Sequence, residues 1–438
     1  MRNRFLRVIH LLAMPFVLAV GIASGEGEGW IPRRTDRANT APTWGPYTAE
    51  GVGLTERNSE RFGWVMGDFS LQPYAEARAV YEDNLTLSSA DKQEEIYTVF
   101  SPGVTLVYGT PRGNNLYLDY SADFTSLQEF DNDSFDGQTL RVGGTYRNAR
   151  SQLAVSHAYR EVRDVDVETS ARLMRESHVT SATYDNRLST KTSAGLSVSH
   201  SLHTFSESEY SGYREYSVGG RMGWQAFPRA ALTARAAHGW VDVDDQREGY
   251  GSAQYDEVAF GISGRPRPRL ETGGDIGVQH RYFEDDGLED ITHWVGSVHV
   301  AGEPYGRTRF WVKGAASLRP AIQEDGYTVL DMRVEPGVSR CLFTERLVGG
   351  ISVFRGRARY IGGSEPDSED RVYNGRQDDY WGFGANLDWW IGRYWSVGIG
   401  YSYMENESDA DDAVLAGQMG DSVSYEAGRW MIHAAFNR

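Results

Sequence analysis

The stretch Leu116-Tyr117-Leu118-Asp119-Tyr120-Ser121-Ala122-Asp123-Phe124-Thr125 decides the fold. Leu116, Leu118, Tyr120, Ala122 and Phe124 alternate with Tyr117, Asp119, Ser121, Asp123 and Thr125, so one face is apolar and the other polar. Strand side chains alternate between faces with a period of two, whereas a helix groups positions three and four apart. The same alternation returns at Leu153, Val155, His157 and Tyr159, and at Trp395, Val397, Ile399, Tyr401 and Tyr403. A soluble sheet buries its apolar face in a core; a transmembrane barrel turns that face to lipid and keeps polar residues inside.

Working outward, short turns recur near Thr110–Gly113, Asn148–Arg150, Asn186–Leu188, Phe227–Arg229, Pro266–Pro268, Pro304–Gly306, Thr344–Arg346 and Ile391–Arg393. Their Asn, Pro and Gly suit turn backbone. Between them lie longer polar stretches, Glu129–Gly137, Arg163–Arg175, Val243–Gly251, Phe283–Asp290, Tyr360–Asp378 and Glu405–Asp421. Each interval of roughly 40 residues holds two strands, one turn and one long loop, the rhythm of an outer-membrane hairpin. The pattern predicts an all-β fold, a transmembrane antiparallel up-and-down β-barrel of about eighteen strands with short turns at the periplasmic end. A solenoid or propeller would repeat a residue motif in each period, and none recurs here.

The chain has 438 residues, a formal charge of −17, 40% hydrophobic residues and a mean hydropathy of −0.51. That hydropathy argues against a helical membrane protein but not against a barrel, since half of every strand is polar. The acidic balance argues against nucleic acid as a partner. Arg2, Arg4 and Arg7 precede an apolar run, Val8 to Ala23, and then Ser24 and Gly25. This is the layout of a secretory signal peptide over residues 1–25, whose cleavage would deliver the protein to the outer membrane. Residues 26–68 read as a periplasmic extension or small plug, partly disordered, and residues 69–438 as the barrel. The only cysteine, Cys341, permits no intrachain disulfide.

The apolar parity includes Leu140, Val142, Leu196, Val198, Phe260, Ile262, Ile276 and Val278, which should meet lipid. Trp224, Trp389 and Trp395 fall beside short turns, and Trp240, Trp294 and Trp381 beside long loops, as two interfacial girdles require. The opposite parity supplies the expected pore lining: Arg78, Asp119, Arg141, Lys191, Arg235, Asp275, Lys313, Asp331, Arg333, Glu335 and Asp388. A lipid-facing Arg or Lys at the bilayer midplane costs roughly 2–4 kcal/mol, so these side chains belong in a wet interior. Trp311 and Tyr117 share that parity and could meet sugar rings or simply fill the wall. His157, His200, His238 and His280 fall on the lipid parity, which fits the interface better than catalysis. No nucleotide loop, zinc helix or cysteine cluster is present, so the expectation is a non-enzymatic chain with no metal or cofactor. Acidic residues dominate the long loops, among them Asp409, Asp411 and Asp412, where exposed solubility or divalent cations shared with surface glycolipid are both consistent.

One local sequence is more distinctive. Tyr81-Glu82-Asp83-Asn84 ends the first long strand, and Pro102-Gly103 lies within the second. Over about one and a half hairpins this resembles the beta-barrel porin 2 family of outer-membrane proteins. The resemblance implies an outer-membrane port for capsular or extracellular polysaccharide, with outer-membrane lipid, surface glycolipid and periplasmic export components as partners. The alternatives are a general diffusion porin for small solutes and a non-conducting structural or adhesive barrel. The carboxy-terminal strand ends Phe436-Asn437-Arg438, departing from the terminal aromatic common among such barrels.

Overall fold

In the computed structural model, the described residues are 64–437, apart from 90–91, 111–112, 129–134, 167, 208–209, 245–250, 286, 323–326, 344–345, 363–375, 393 and 410–423. The expected signal peptide, most of the amino-terminal extension, and Asp411 and Asp412 lie outside them. The elements are all strands, in the order β1 Trp64–Met66, β2 Phe69–Glu82, β3 Glu95–Gly109, β4 Asn115–Leu127, β5 Asp136–Arg147 and β6 Ser151–Asp166. They continue with β7 Ala171–Arg187, β8 Thr192–Phe205, β9 Gly212–Phe227, β10 Ala230–Asp244, β11 Ala253–Arg267, β12 Leu270–Phe283 and β13 Ile291–Tyr305. The last are β14 Thr308–Pro320, β15 Tyr327–Cys341, β16 Leu347–Gly362, β17 Gln377–Ile391, β18 Trp395–Ser408 and β19 Tyr425–Asn437. Strand β1 is a short antiparallel companion of β2, pairing Trp64 with Leu71, so the hairpin begins before residue 69.

Each strand from β2 onward pairs antiparallel with the next, and β19 returns to β2 from Arg429↔Glu82 to Asn437↔Tyr74. The result is a closed barrel of eighteen strands with no free edge. Closure and the alternating faces together set what surrounds the wall. Phe260 is 64% exposed, Ile276 66%, Leu196 63% and Ile432 63%, all on the outer parity. A soluble protein would not leave so continuous an apolar belt in water; a barrel in lipid requires it. On β9 the outer face runs from Trp224 at one rim to Tyr216 at the other. Eight residues at about 3.3 Å each, tilted by roughly 40°, give about 20 Å between girdles, close to the apolar height of an outer-membrane barrel. Trp240, Trp294, Trp381 and Trp430 continue the upper girdle, and Trp389 and Trp395 the lower one, all exposed.

Turn chemistry holds the periplasmic rim. Asn148 caps its own turn, its Oδ1 accepting from the amides of Arg150 at 3.0 Å and Ser151 at 2.9 Å. Gly392 adopts φ +74° between β17 and β18, a left-handed turn conformation that favours glycine.

Candidate functional site: the lumen and its mouth

Ten of the eleven expected pore residues lie on strands with their side chains on the inner parity. The exception is Lys191, which stands in the exposed β7–β8 turn, before β8 begins at Thr192. Its assignment extended the period through a turn, where alternation no longer applies. Depth inside the barrel differs from expectation too. Asp119 is 3% exposed, Asp331 5% and Asp388 1%, so they are built into the wall rather than presented to a solute. Asp119 accepts from Tyr74 Oη and Thr105 Oγ1, both at 2.9 Å, and stands opposite Arg141 in the ladder. Asp331 accepts from Tyr380 Oη at 2.7 Å. Arg333 donates to Glu335 at 3.0 Å and lies over the Phe354 ring, while Lys313 faces Glu335 across the ladder. Arg78 reaches Ser101 Oγ at 3.2 Å.

The reason for this burial is a repeated device. Tyr74 faces Gly103, Tyr117 faces Gly143, Tyr255 faces Gly239, Trp311 faces Gly337, and Tyr380 faces Gly356, each pair directly opposite on neighbouring strands. In every pair a β-carbon added to the glycine would sit 2.1 to 2.8 Å from the ring. The aromatic lies flat on the bare backbone, which tightens cross-strand packing. Trp311 and Tyr117, each 6% exposed, therefore serve the wall, not sugar contact.

The motif Pro102-Gly103 finds its physical role here, with Gly103 as the bed of Tyr74. The same Pro-Gly step recurs at Pro336-Gly337 under Trp311. Proline offers no amide to a ladder, and the shared rungs skip residues 101–102 between β3 and β4 and residues 335–336 between β15 and β16. The other motif residues are also engaged. Asn84 donates to Ser88 O and Glu426 O, both at 2.8 Å, and closes the β2–β3 loop. Asp83 Oδ1 accepts from the Gly428 amide at 2.6 Å, and Tyr81 Oη donates to Glu94 at 2.7 Å. Fully buried Glu82 is held by Arg429 and Tyr97, each at 3.1 Å, and by Arg172.

An accessible inner surface lies on the wall from β7 to β13. Its side chains are small and hydroxylated, with Ser197 and Ser297 exposed and Ser199 paired to Ser217 at 2.7 Å. Two guanidiniums stand on it, Arg221 with a side chain 56% exposed and Arg235 at 46%. Arg221 pairs with Asp185, and Arg235 bridges Glu257 at 2.9 Å and Asp275 at 2.5 Å.

The mouth carries a constellation that sequence reasoning missed. Most of the stretch Arg163–Arg175, expected as a loop, is paired strand, a ribbon with β6 running to Asp166 and β7 starting at Ala171. Strand β6 pairs with β5 only to Glu161, and β7 with β8 only to Arg175; beyond that the two pair with each other to Asp166↔Ala171. From Tyr159 in the girdle to Asp166 the overhang is roughly 23 Å at 3.3 Å per residue, long enough to lean far across the mouth. At its tip Glu168 is fully buried. Its carboxylate accepts from Arg319 Nη1 and the Ile322 amide, both at 2.8 Å, and its carbonyl accepts from Arg376 at 2.7 Å. Those partners belong to the tops of β14 and β17, nearly opposite β6 in the ring. Arg376 in turn forks onto Asp378 at 3.0 and 2.8 Å. Arg172 fastens the side of the ribbon to Leu85 O at 3.1 Å and to Glu82. The end of the ribbon thus meets the tops of β14 and β17 in a clasp over the lumen. No local pattern announces it, because its partners are about 150 residues apart.

His203 lies beneath this clasp, on the inner parity of β8 and beyond the outer girdle, its ring 4.8 Å from that of Tyr213. Burial pushes its imidazole down to about 4, and the charges of Arg175 and Arg319 add to the shift. The folded mouth therefore holds it neutral, while an unfolded or opened chain protonates it near 6.5. Stability conferred by neutral His203 is present above about pH 6.5 and is lost as pH falls toward about 4, by up to roughly 3 kcal/mol. Proteolysis of the ribbon between Val162 and Arg175 should accordingly accelerate on acidification through that window, and His203→Phe should flatten the dependence.

The outer-face histidines stand at the upper interface. His157 meets Thr180 Oγ1, His238 meets Asp256 and His280 meets Thr292 Oγ1, each at 2.8 Å, and His200 stacks on Tyr216 at 4.5 Å. A second finding absent from the sequence reading is His433 with Asp388 at 3.0 Å, packed across Gly398 on the inner wall. Among the described residues no group of three potential ligands could hold a metal ion.

No family model matches the chain, and no curated protein matches it. Among solved structures it is similar to the outer membrane protein OpdK of Pseudomonas aeruginosa, at 11% identity over 84% of this chain and 99% of that one, with a TM-score of 0.45. It is similar to OccK2 (OpdF) of the same organism in complex with glucuronate, at 11% identity over 84% and 96%, with a TM-score of 0.45. The siderophore receptor PirA of Pseudomonas aeruginosa gives 11% identity over 83% and 80%, with a TM-score of 0.40.

Proposed function

We propose that this barrel is an outer-membrane channel for small polar solutes, reached after export through the inner membrane and cleavage of the leader at residues 1–25. The observation that carries the reading is the accessible inner wall from β7 to β13, hydroxylated and set with Arg221 and Arg235, inside a closed sheet whose outer face is apolar. Water and a hydrated solute fit such a wall; a hydrocarbon core does not.

Purified protein in a planar bilayer should conduct KCl. Arg235→Ala leaves Glu257 and Asp275 with no guanidinium between them. The local potential turns more negative, and the permeability ratio of K⁺ over Cl⁻ should rise by roughly threefold. A reversal potential identical to that of the unaltered protein would remove Arg235 from the conduction path. Absence of any conductance would favour a structural or adhesive barrel.

Polysaccharide export is the second reading, and what favours it is the resemblance carried by Tyr81, Glu82, Asp83, Asn84, Pro102 and Gly103. Against it, each of these residues has a structural partner or position in the first hairpins, and the clasp narrows the mouth that a polymer would have to thread. Loss of surface polysaccharide on deletion of the gene, with small-solute uptake unchanged, would reverse this preference.

A further inference from the structure

The wall forks at one place. Strands β13 and β14 share rungs upward only as far as Gly296↔Ala316. Yet β13 starts at Ile291 and stays paired with β12 to that end, and β14 continues to Pro320, paired with β15 throughout. Among the described strands this is the one neighbouring pair in which both members run several residues past their last shared rung. The fork begins one step beneath Trp294 of the upper girdle, at the edge of the hydrocarbon.

Its inner prong has turned into the lumen. Leu318 and Leu330 are lipid-facing by parity, but they are 9% and 1% exposed. They pack on Val295 from the inner face of β13, with Met332 and Ile361 beside them. Arg281, on the inner face of β12, spans the gap and donates to Leu318 O and to Thr328 Oγ1, both at 3.3 Å. It thereby takes a carbonyl that lies above the last rung shared with β13. Unpaired backbone at membrane depth survives only where protein or water covers it. Here the buried cluster of Val295, Leu318 and Leu330 covers it, and beside Leu318 stands Arg281, 2% exposed and over the Tyr255 ring at 5.9 Å.

We propose that this fork is a lateral opening, through which a single-chain amphiphile with an anionic head passes between the lumen and the outer leaflet. When the prongs part, the chain takes the place of the packing among Val295, Leu318 and Leu330, and the head replaces Leu318 O and Thr328 as the partner of Arg281. The fork begins below the Glu168 clasp, so a molecule stopped at the mouth can leave sideways. This route is separate from the axial path for polar solutes.

The test uses a dansyl-labelled long-chain fatty acid and the full mature barrel in detergent micelles. In a Cys341→Ser background, Val295→Cys with Leu318→Cys gives a pair that oxidation closes across the fork. Reduced protein should bind the acid saturably, and oxidised protein about tenfold more weakly, with KCl conductance the same in both states. Arg281→Met, which needs no disulfide, should weaken the acid about tenfold and leave the matching dansyl alcohol unchanged. Equal affinity in the oxidised and reduced states, or equal affinity of Arg281→Met and the unaltered barrel for the acid, overturns the proposal. So does a loss of conductance in step with binding, which would put the acid on the axial path. Failure of the unaltered barrel to conduct would defeat the channel reading and leave the binding comparison intact.

Discussion

Glu168→Ala should raise single-channel conductance several-fold while scarcely moving the global melting temperature. The carboxylate is fully buried and holds Arg319 and the Ile322 amide from the opposite wall. Removing one partner of a buried ion pair strands the other, at a cost of about 3–5 kcal/mol. That is enough to shift a clasped-to-open equilibrium by two to three orders of magnitude at about 1.4 kcal/mol per tenfold. The cost falls on the mouth because the barrel ladders below Glu161 and Arg175 do not depend on the tip. Glu168→Gln keeps an acceptor for Ile322 but loses the charge, and should lie between the two. Conductance of Glu168→Ala indistinguishable from the unaltered channel would mean that the clasp is not the narrowing element.

Gly337→Val should have the largest effect on stability. A β-carbon there would stand 2.1 Å from Trp311 Cζ2, and the ring is 6% exposed. The indole must leave its bed, and expelling or overpacking a buried aromatic costs about 3 kcal/mol or more. Gly220→Val is the matched control: it lies on the outer parity of β9, and a β-carbon there meets nothing within 4 Å. Urea unfolding of refolded protein in vesicles should show the first variant strongly destabilised and the second near neutral. Equal midpoints for both would refute the aromatic-on-glycine account of the wall.

Much of this architecture was legible in residues. Leu116 to Thr125 announced its two faces because both environments are uniform along a strand, and Trp224 and Trp240 marked the rims because an indole prefers the interface. Parity, however, reports a face and says nothing of depth. Asp119 and Asp388 stand on the inner parity, yet they are buried, since burial depends on which ring leans over which glycine on the next strand. Lys191 failed for a simpler reason, that alternation ends where the turn begins. The clasp and the fork were beyond reach, because Glu168 meets Arg319, and Arg281 meets Leu318, only after the wall has closed and two hairpins have bent inward.

The pairing of β19 with β2 carries a consequence for biogenesis. Glu82 and Arg429 are joined across 347 residues of the chain, and the Arg172 bond that steadies the mouth ends on the same carboxylate. No nascent fragment lacking its final thirteen residues of strand can complete the ring. Such a fragment would present two naked edges, each a template for intermolecular pairing. Maturation is therefore ordered in time: the last segment must arrive before the entrance can set, and premature termination yields aggregates rather than a leaky pore.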